Sequence, residues 1–138
     1  MRKWKVARVG RAELKRKLDT VFSLFIRLRD CGGRQYWGRC ITCKTPVQVV
    51  SAECGHFIRR ANHSVRWNPD NAHIQCIPCN HDPKKQEMEE KYRVILVKEI
   101  GEERFSRLIE CSMRPAPTLE EMKTMYAEYK KLVREMED

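Results

Sequence analysis

The residues best able to do chemistry lie between Cys40 and Asn80. Cys40-Ile41-Thr42-Cys43 and Cys76-Ile77-Pro78-Cys79 are two Cys-x-x-Cys pairs separated by 32 residues. Two short turns that each offer two thiolates suit one tetrahedral zinc ion. With sulfur in all four positions no water can be activated on that ion, so the zinc is expected to be structural. A thioredoxin-like redox role would use one pair and leave the second without a purpose. A zinc at this point closes a loop, and the loop carries Glu53-Cys54-Gly55-His56, the candidate for the chemistry.

The elements that position these residues are legible from periodicity. Residues 1–11 are basic and without a clear period, which predicts a flexible arm. From Ala12 to about Arg29, Leu14, Leu18, Val21, Phe25 and Leu28 recur at three- and four-residue steps, the pattern of an amphipathic helix over 12–30. Its polar face holds Arg11, Lys15, Arg16, Arg27 and Arg29, for which a solvated face is the commoner meaning. Cys31-Gly32-Gly33 ends the helix, and Cys31, without a neighbour at ligand spacing, is expected to be idle. Val47–Ala52 has the β-branched content of a strand, and Val65-Arg66-Trp67 that of a short second one. After Cys79, Met88, Tyr92, Ile95, Leu96 and Ile100 predict a helix from Lys84 to Ile100, followed by a shorter one over Glu102–Cys111. Pro115 and Pro117 break the chain, Thr118-Leu119-Glu120-Glu121 has the form of a capping box, and the last helix is predicted over Leu119–Met136. Its apolar stripe is expected to pack on the preceding helices. The fold class is α+β: one domain over 12–138, with a core at 40–86 and a helical part at 87–138.

Composition narrows the partners. The chain of 138 residues has net charge +9, and residues 1–85 hold 18 Lys and Arg against 6 Asp and Glu. A positive field concentrated around the cysteine-bounded stretch attracts polyanions, with nucleic acid the commonest. Seven cysteines without a leading apolar run favour thiolate and metal over disulfides, and a cytosolic setting. No stretch is apolar for long enough to span a membrane.

The order of these motifs resembles that of the HNH, or ββα-metal, endonucleases in the zinc-bearing branch that includes endonuclease VII. Cys-Ile-x-Cys, Glu-x-Gly-His-Phe, Arg66-Trp67-Asn68, Asn71-x-His73-x-Gln75-Cys76 and Cys79-Asn80 narrow the likeness to the NinG/Rap recombination endonucleases of lambdoid phages, over roughly residues 12–135. The resemblance implies a small zinc-stapled ββα-metal (HNH-like) core between N- and C-terminal helices. It also implies hydrolysis of DNA phosphodiesters in branched DNA, of Holliday junction or D-loop type, in a bacterial host carrying a phage or prophage. It puts His56 in the position of the general base, Asn80 in that of a metal-holding side chain, and Asn71 in that of an Asn that braces the loop. Such hydrolysis takes a base for water and a cation, Mg²⁺ or Mn²⁺, for the charge on phosphate.

One position departs from the family pattern. Many ββα-metal enzymes carry an Asp or His just before the base, where this chain has Gly55. Residues two apart on a strand share a face, so Glu53 is the expected substitute, with His73 as the rival ligand or phosphate contact. Arg59, Arg60, Arg66, Lys84 and Lys85 flank the motif as candidate phosphate contacts, which fix register and carry no base sequence. His63 and His81 are expected at the surface, and Cys54 to pack. Symmetric junction resolution needs two active sites, which makes a homodimer plausible. The rival readings are a noncatalytic zinc module that binds nucleic acid, and a nonspecific or restriction-type HNH nuclease.

Overall fold

The apolar stripe of the N-terminal half forms α1 (Arg2–Cys31), against which most of the domain is built. The computed structural model describes the backbone of residues 2–137 and the side chains of 10–137. The helix therefore starts ten residues before the Ala12 at which its period becomes readable. Residues 2–11, predicted as an arm, are helical in backbone, and the side chains before Gly10 lie outside the described residues. Leu18, Phe22 and Ile26 follow one another at four-residue steps and are fully buried, with Leu28 and Cys31 completing the buried face.

Two small antiparallel sheets follow. The first pairs β1 (Gly38–Arg39) with β2 (Pro46–Val47) on either side of the first Cys-x-x-Cys turn. A Cβ at Gly38 would stand 2.8 Å from the carbonyl of Asp30 and 2.7 Å from Ile74, so only glycine lets β1 cross the end of α1. The second sheet pairs β3 (Glu53–His56) with β4 (Ala72–Gln75), in the register Glu53 to Gln75, Gly55 to His73 and His56 to Ala72. A single 3₁₀ turn, Pro69–Asn71, leads into β4. Then come α2 (Ile77–Asn80), a single turn that starts after Cys76 and holds Cys79, α3 (Lys85–Ile100), α4 (Glu102–Ser112) and α5 (Leu119–Glu137).

The strands lie elsewhere than β propensity predicts, and the hydrogen bonds say why. The expected strand over Val47–Ala52 is broken because Ser51 Oγ accepts from the Gln48 amide and the Ser51 and Ala52 amides return to the Gln48 carbonyl. The chain turns there and the strand resumes at Glu53. Val65-Arg66-Trp67 is a succession of turns, since each carbonyl is taken by a side chain. Asn71 donates to Val65, His56 to Arg66 and Tyr129 to Trp67. These carbonyls serve the loop in place of a ladder, and the strand that pairs with β3 is β4.

Two apolar clusters flank the second sheet. In one, α1 meets α5 through Met122, Tyr129 and Val133, together with Trp67 and Ile74. The Tyr129 ring stands 5.1 Å from Phe22 and from Phe25. In the other, Tyr92, Leu96 and Leu108 of α3 and α4 close over Ile41 and Val65, with Phe57 between the Tyr92 and Phe105 rings. The capping box forms as predicted: the Thr118 amide donates to Glu121, and the Glu121 amide to Thr118 Oγ1. The apolar stripe of α5 is thus packed on α1. No described helix is long and apolar enough to cross a membrane.

Candidate metal centre and active-site cleft

Thiols separated by two residues on a tight turn must point to one side. Cys40 and Cys43 sit on the turn between β1 and β2, while Cys76 is the N-cap of α2 and Cys79 lies within it. A backbone bond from the Ile41 amide to the Ile74 carbonyl, 2.9 Å, joins the first turn to β4 and thus to the second pair. All four Sγ atoms lie within 4.8 Å of one another, and Cys43 and Cys76 are 3.6 Å apart. A tetrahedral zinc with Zn–S near 2.3 Å needs sulfurs about 3.8 Å apart, so the donor set fits. Burial raises Cys40, but hydrogen bonds from Thr42 and from the backbone outweigh it and bring the thiol down to about 6. Cys76 is pushed up to about 12, by burial and by its sulfur neighbours. Four thiols this close cannot all ionise unaided, and a bound dication removes the conflict. Zinc here would hold the two turns together and leave no coordination position open.

A second site opens beside β3. A cleft of about 910 Å³ is lined by residues from α1, β3, the loop after it, α2 and α3. Glu53, His56, Arg59, Arg60, Asn80 and Lys85, expected as site residues, all border it. His56 ends β3. Its Nε2 is 2.8 Å from the Arg66 carbonyl, which can only accept, so Nε2 carries the proton and Nδ1 keeps a lone pair. Nδ1 is buried and, among the described residues, has no hydrogen-bond partner. Burial lowers the pKa of His56, and the bond to Arg66 opposes that without reversing it, so the ring is neutral at pH 7.

Glu53 starts the same strand. Its Oε1 accepts from Asn80 Nδ2 at 2.8 Å and from His81 Nε2 at 2.6 Å. The bond from Asn80, ahead of the opposing effect of burial and the contribution of His81, holds the carboxyl below its usual range. An ionised carboxylate beside a side-chain amide is an oxygen set suited to a hard divalent cation. His81, expected at the surface, is exposed and yet borders this cleft. Its signal in the sequence is adjacency: α2 ends at Asn80, and the next residue leaves the turn toward Glu53.

Asn71 lies wholly inside the protein. Its Oδ1 accepts from the Ile58 amide at 2.7 Å, and its Nδ2 donates to the Ile58 and Val65 carbonyls. All its side-chain polar atoms are spent on the loop that follows His56.

Three expectations are corrected. Arg66 is buried, with Nε and Nη2 on Asp19 and Nη1 on the Arg60 carbonyl, so it has no face left for phosphate. His73 does not border the cleft: it stands edge-on to Tyr92, and burial brings it down to about 4. Lys84 precedes α3 outside the cleft lining, unlike Lys85. Cys54 and Cys31 behave as expected of packed thiols; burial pushes Cys54 up to about 12.

The structure also accounts for Gly55. A Cβ there would fall 2.0 Å from Gln75 Oε1 and 2.6 Å from its Cδ. Gln75 is buried and donates to Thr42 Oγ1 at 3.2 Å, beside the cysteine cluster. The space for a side chain at 55 is taken by one from the opposite strand, leaving Glu53 to supply the carboxylate on that face.

Comparison with known proteins gives one family. A family model described as "Bacteriophage Lambda NinG protein" matches residues 1–138. Protein ninG of Escherichia phage lambda is 31% identical over 98 residues, 70% of this chain and 47% of that protein. Protein ninG of Salmonella phage P22 is 29% identical over 100 residues, 72% of this chain and 48% of that protein. The chain thus spans about half the length of these relatives. No solved structure matches it.

Proposed function

The chain belongs to the NinG family, and on that premise we propose that it is a phage or prophage endonuclease that hydrolyses phosphodiesters in branched DNA. The observation that carries this reading is His56. A neutral imidazole, fixed through Nε2 and free at Nδ1, faces a cleft shared with an ionised carboxylate and bordered by Arg59, Arg60 and Lys85. His56 takes the proton of the attacking water. Arg59, Arg60 and Lys85 hold the phosphodiester, and Glu53 with Asn80 would hold Mg²⁺ or Mn²⁺. A cation bound there supplies charge neutralisation at the phosphoryl and leaving oxygens. The four cysteines would keep zinc as the frame, apart from the chemistry. A homodimer would set two such clefts on one junction.

The test is a panel of a four-way junction, a flap and a linear duplex, each with Mg²⁺ or Mn²⁺. The reading expects nicking of the branched substrates ahead of the duplex. Equal rates on all three would favour a nonspecific nuclease. Binding that weakens with salt, with no cleavage under any divalent ion, would favour a zinc module that only binds.

A further inference from the structure

The arginine loop between β3 and β4 is held at several points, Tyr129 on the Trp67 carbonyl among them, and two side chains make several bonds to it each. One is Asn71, buried inside it. The other comes from α1, 47 residues away in sequence: Asp19 Oδ1 accepts from Arg66 Nε at 2.9 Å and Trp67 Nε1 at 2.8 Å, and Oδ2 accepts from Arg66 Nη2 at 2.7 Å and Arg60 Nη2 at 3.2 Å. Burial alone would raise Asp19, but the bonds from Arg66 and Trp67 outweigh it and hold the carboxyl below its usual range. One carboxylate thus grips both Nε and Nη2 of the Arg66 guanidinium, a two-point contact that fixes orientation as well as distance.

The residue so gripped is the one whose carbonyl receives His56 Nε2. We propose that Asp19 is a positioning residue for His56: by locking Arg66 and Trp67 onto α1 it sets the carbonyl that selects the Nε2–H form and leaves the lone pair on Nδ1. Asp19 touches neither the imidazole nor a reacting atom. It acts at one remove, as outer carboxylates do when they fix the tautomer and orientation of a working histidine. The chain of contacts gives the buried guanidinium of Arg66 a purpose that phosphate binding does not. It rests on the reading of His56 as the base, and the test below separates the two.

The tautomer of His56 is read from its ¹⁵N side-chain shifts in zinc-loaded protein, with His56→Gln to assign the signals. Wild type is expected to show Nε2–H alone. In Asp19→Ala, with zinc content retained, a mixture of tautomers is expected, and nicking turnover falls by about 10- to 100-fold with KM little changed. Asp19→Glu, which can regain the fork, should recover most of both. If Asp19→Ala does not hold zinc, Asp19→Asn serves in its place, since it keeps one acceptor oxygen and loses the charge-assisted fork; the expected tautomer mixture is the same, with a smaller loss of turnover. A folded variant that keeps pure Nε2–H overturns the proposal whatever its activity. A lost tautomer in a protein whose His56→Ala form still nicks would uphold the positioning role and overturn the base.

Discussion

The cysteine cluster and the cleft share β4 and α2, yet they are assembled by opposite means. The cluster is local chemistry: two turns, each with its ligands three residues apart, need only be brought together, and one backbone bond from Ile41 to Ile74 joins them. The cleft is tertiary chemistry. Glu53 and His56 start and end one strand, Asn80 and His81 end the helical turn beyond the partner strand, and the loop that orients His56 is pinned by Asp19 from the first helix. The lesson is that the cluster should fail as a unit when one ligand is lost, whereas the cleft should lose chemistry in steps while the fold persists.

Four measurements press on that contrast. The largest effect is expected from Cys76→Ser or from a strong chelator: zinc and fold go together, so the variant should lose near-UV circular dichroism and most of its cooperative melting, at a cost of several kcal/mol. Asn71→Ala leaves the Ile58 amide and the Ile58 and Val65 carbonyls without their partner and opens a buried space. A loss of about 3 kcal/mol in denaturant unfolding is expected, with zinc retained.

The next effect is one of pH. His73 is buried neutral, with its pKa down at about 4, while the unfolded chain titrates near 6.5. Between these values the unfolded state binds the extra proton, so stability should fall as pH drops from 6.5 to about 4 and level off below. Replacing His73 with Phe should reduce that slope, by on the order of 2 kcal/mol across the window. The smallest effect is on binding. Arg59→Ala or Lys85→Ala should lower the salt slope of DNA affinity by about one unit, and weaken all substrates alike. Arg66→Lys should leave the slope unchanged and reduce nicking, since its guanidinium is spent on Asp19.

What could be read in the sequence follows the same divide. The cysteine ligands, the last two helices and the capping box depend on spacing within a few residues, and periodicity carries that information. Propensity makes residues 65–67 a strand because it knows nothing of the three side chains, from 71, 56 and 129, that take their carbonyls. Arg66 looked like a phosphate contact for a similar reason: its partner, Asp19, is 47 residues away on another element. Glu53 and Asn80 came together as expected because strand alternation and the knuckle fix both ends of their contact. His81 did not announce itself, since its role depends on where a single helical turn stops.

In the proposed function the thiolates form a frame and His56 does the chemistry. His56→Ala separates the two, assayed on a four-way junction with Mg²⁺ beside its zinc content and its DNA affinity. The expected result is full zinc, affinity within a few-fold of wild type, and nicking reduced by at least about 100-fold. A folded, zinc-loaded His56→Ala protein that nicks the junction at the wild-type rate would show that His56 is not the base.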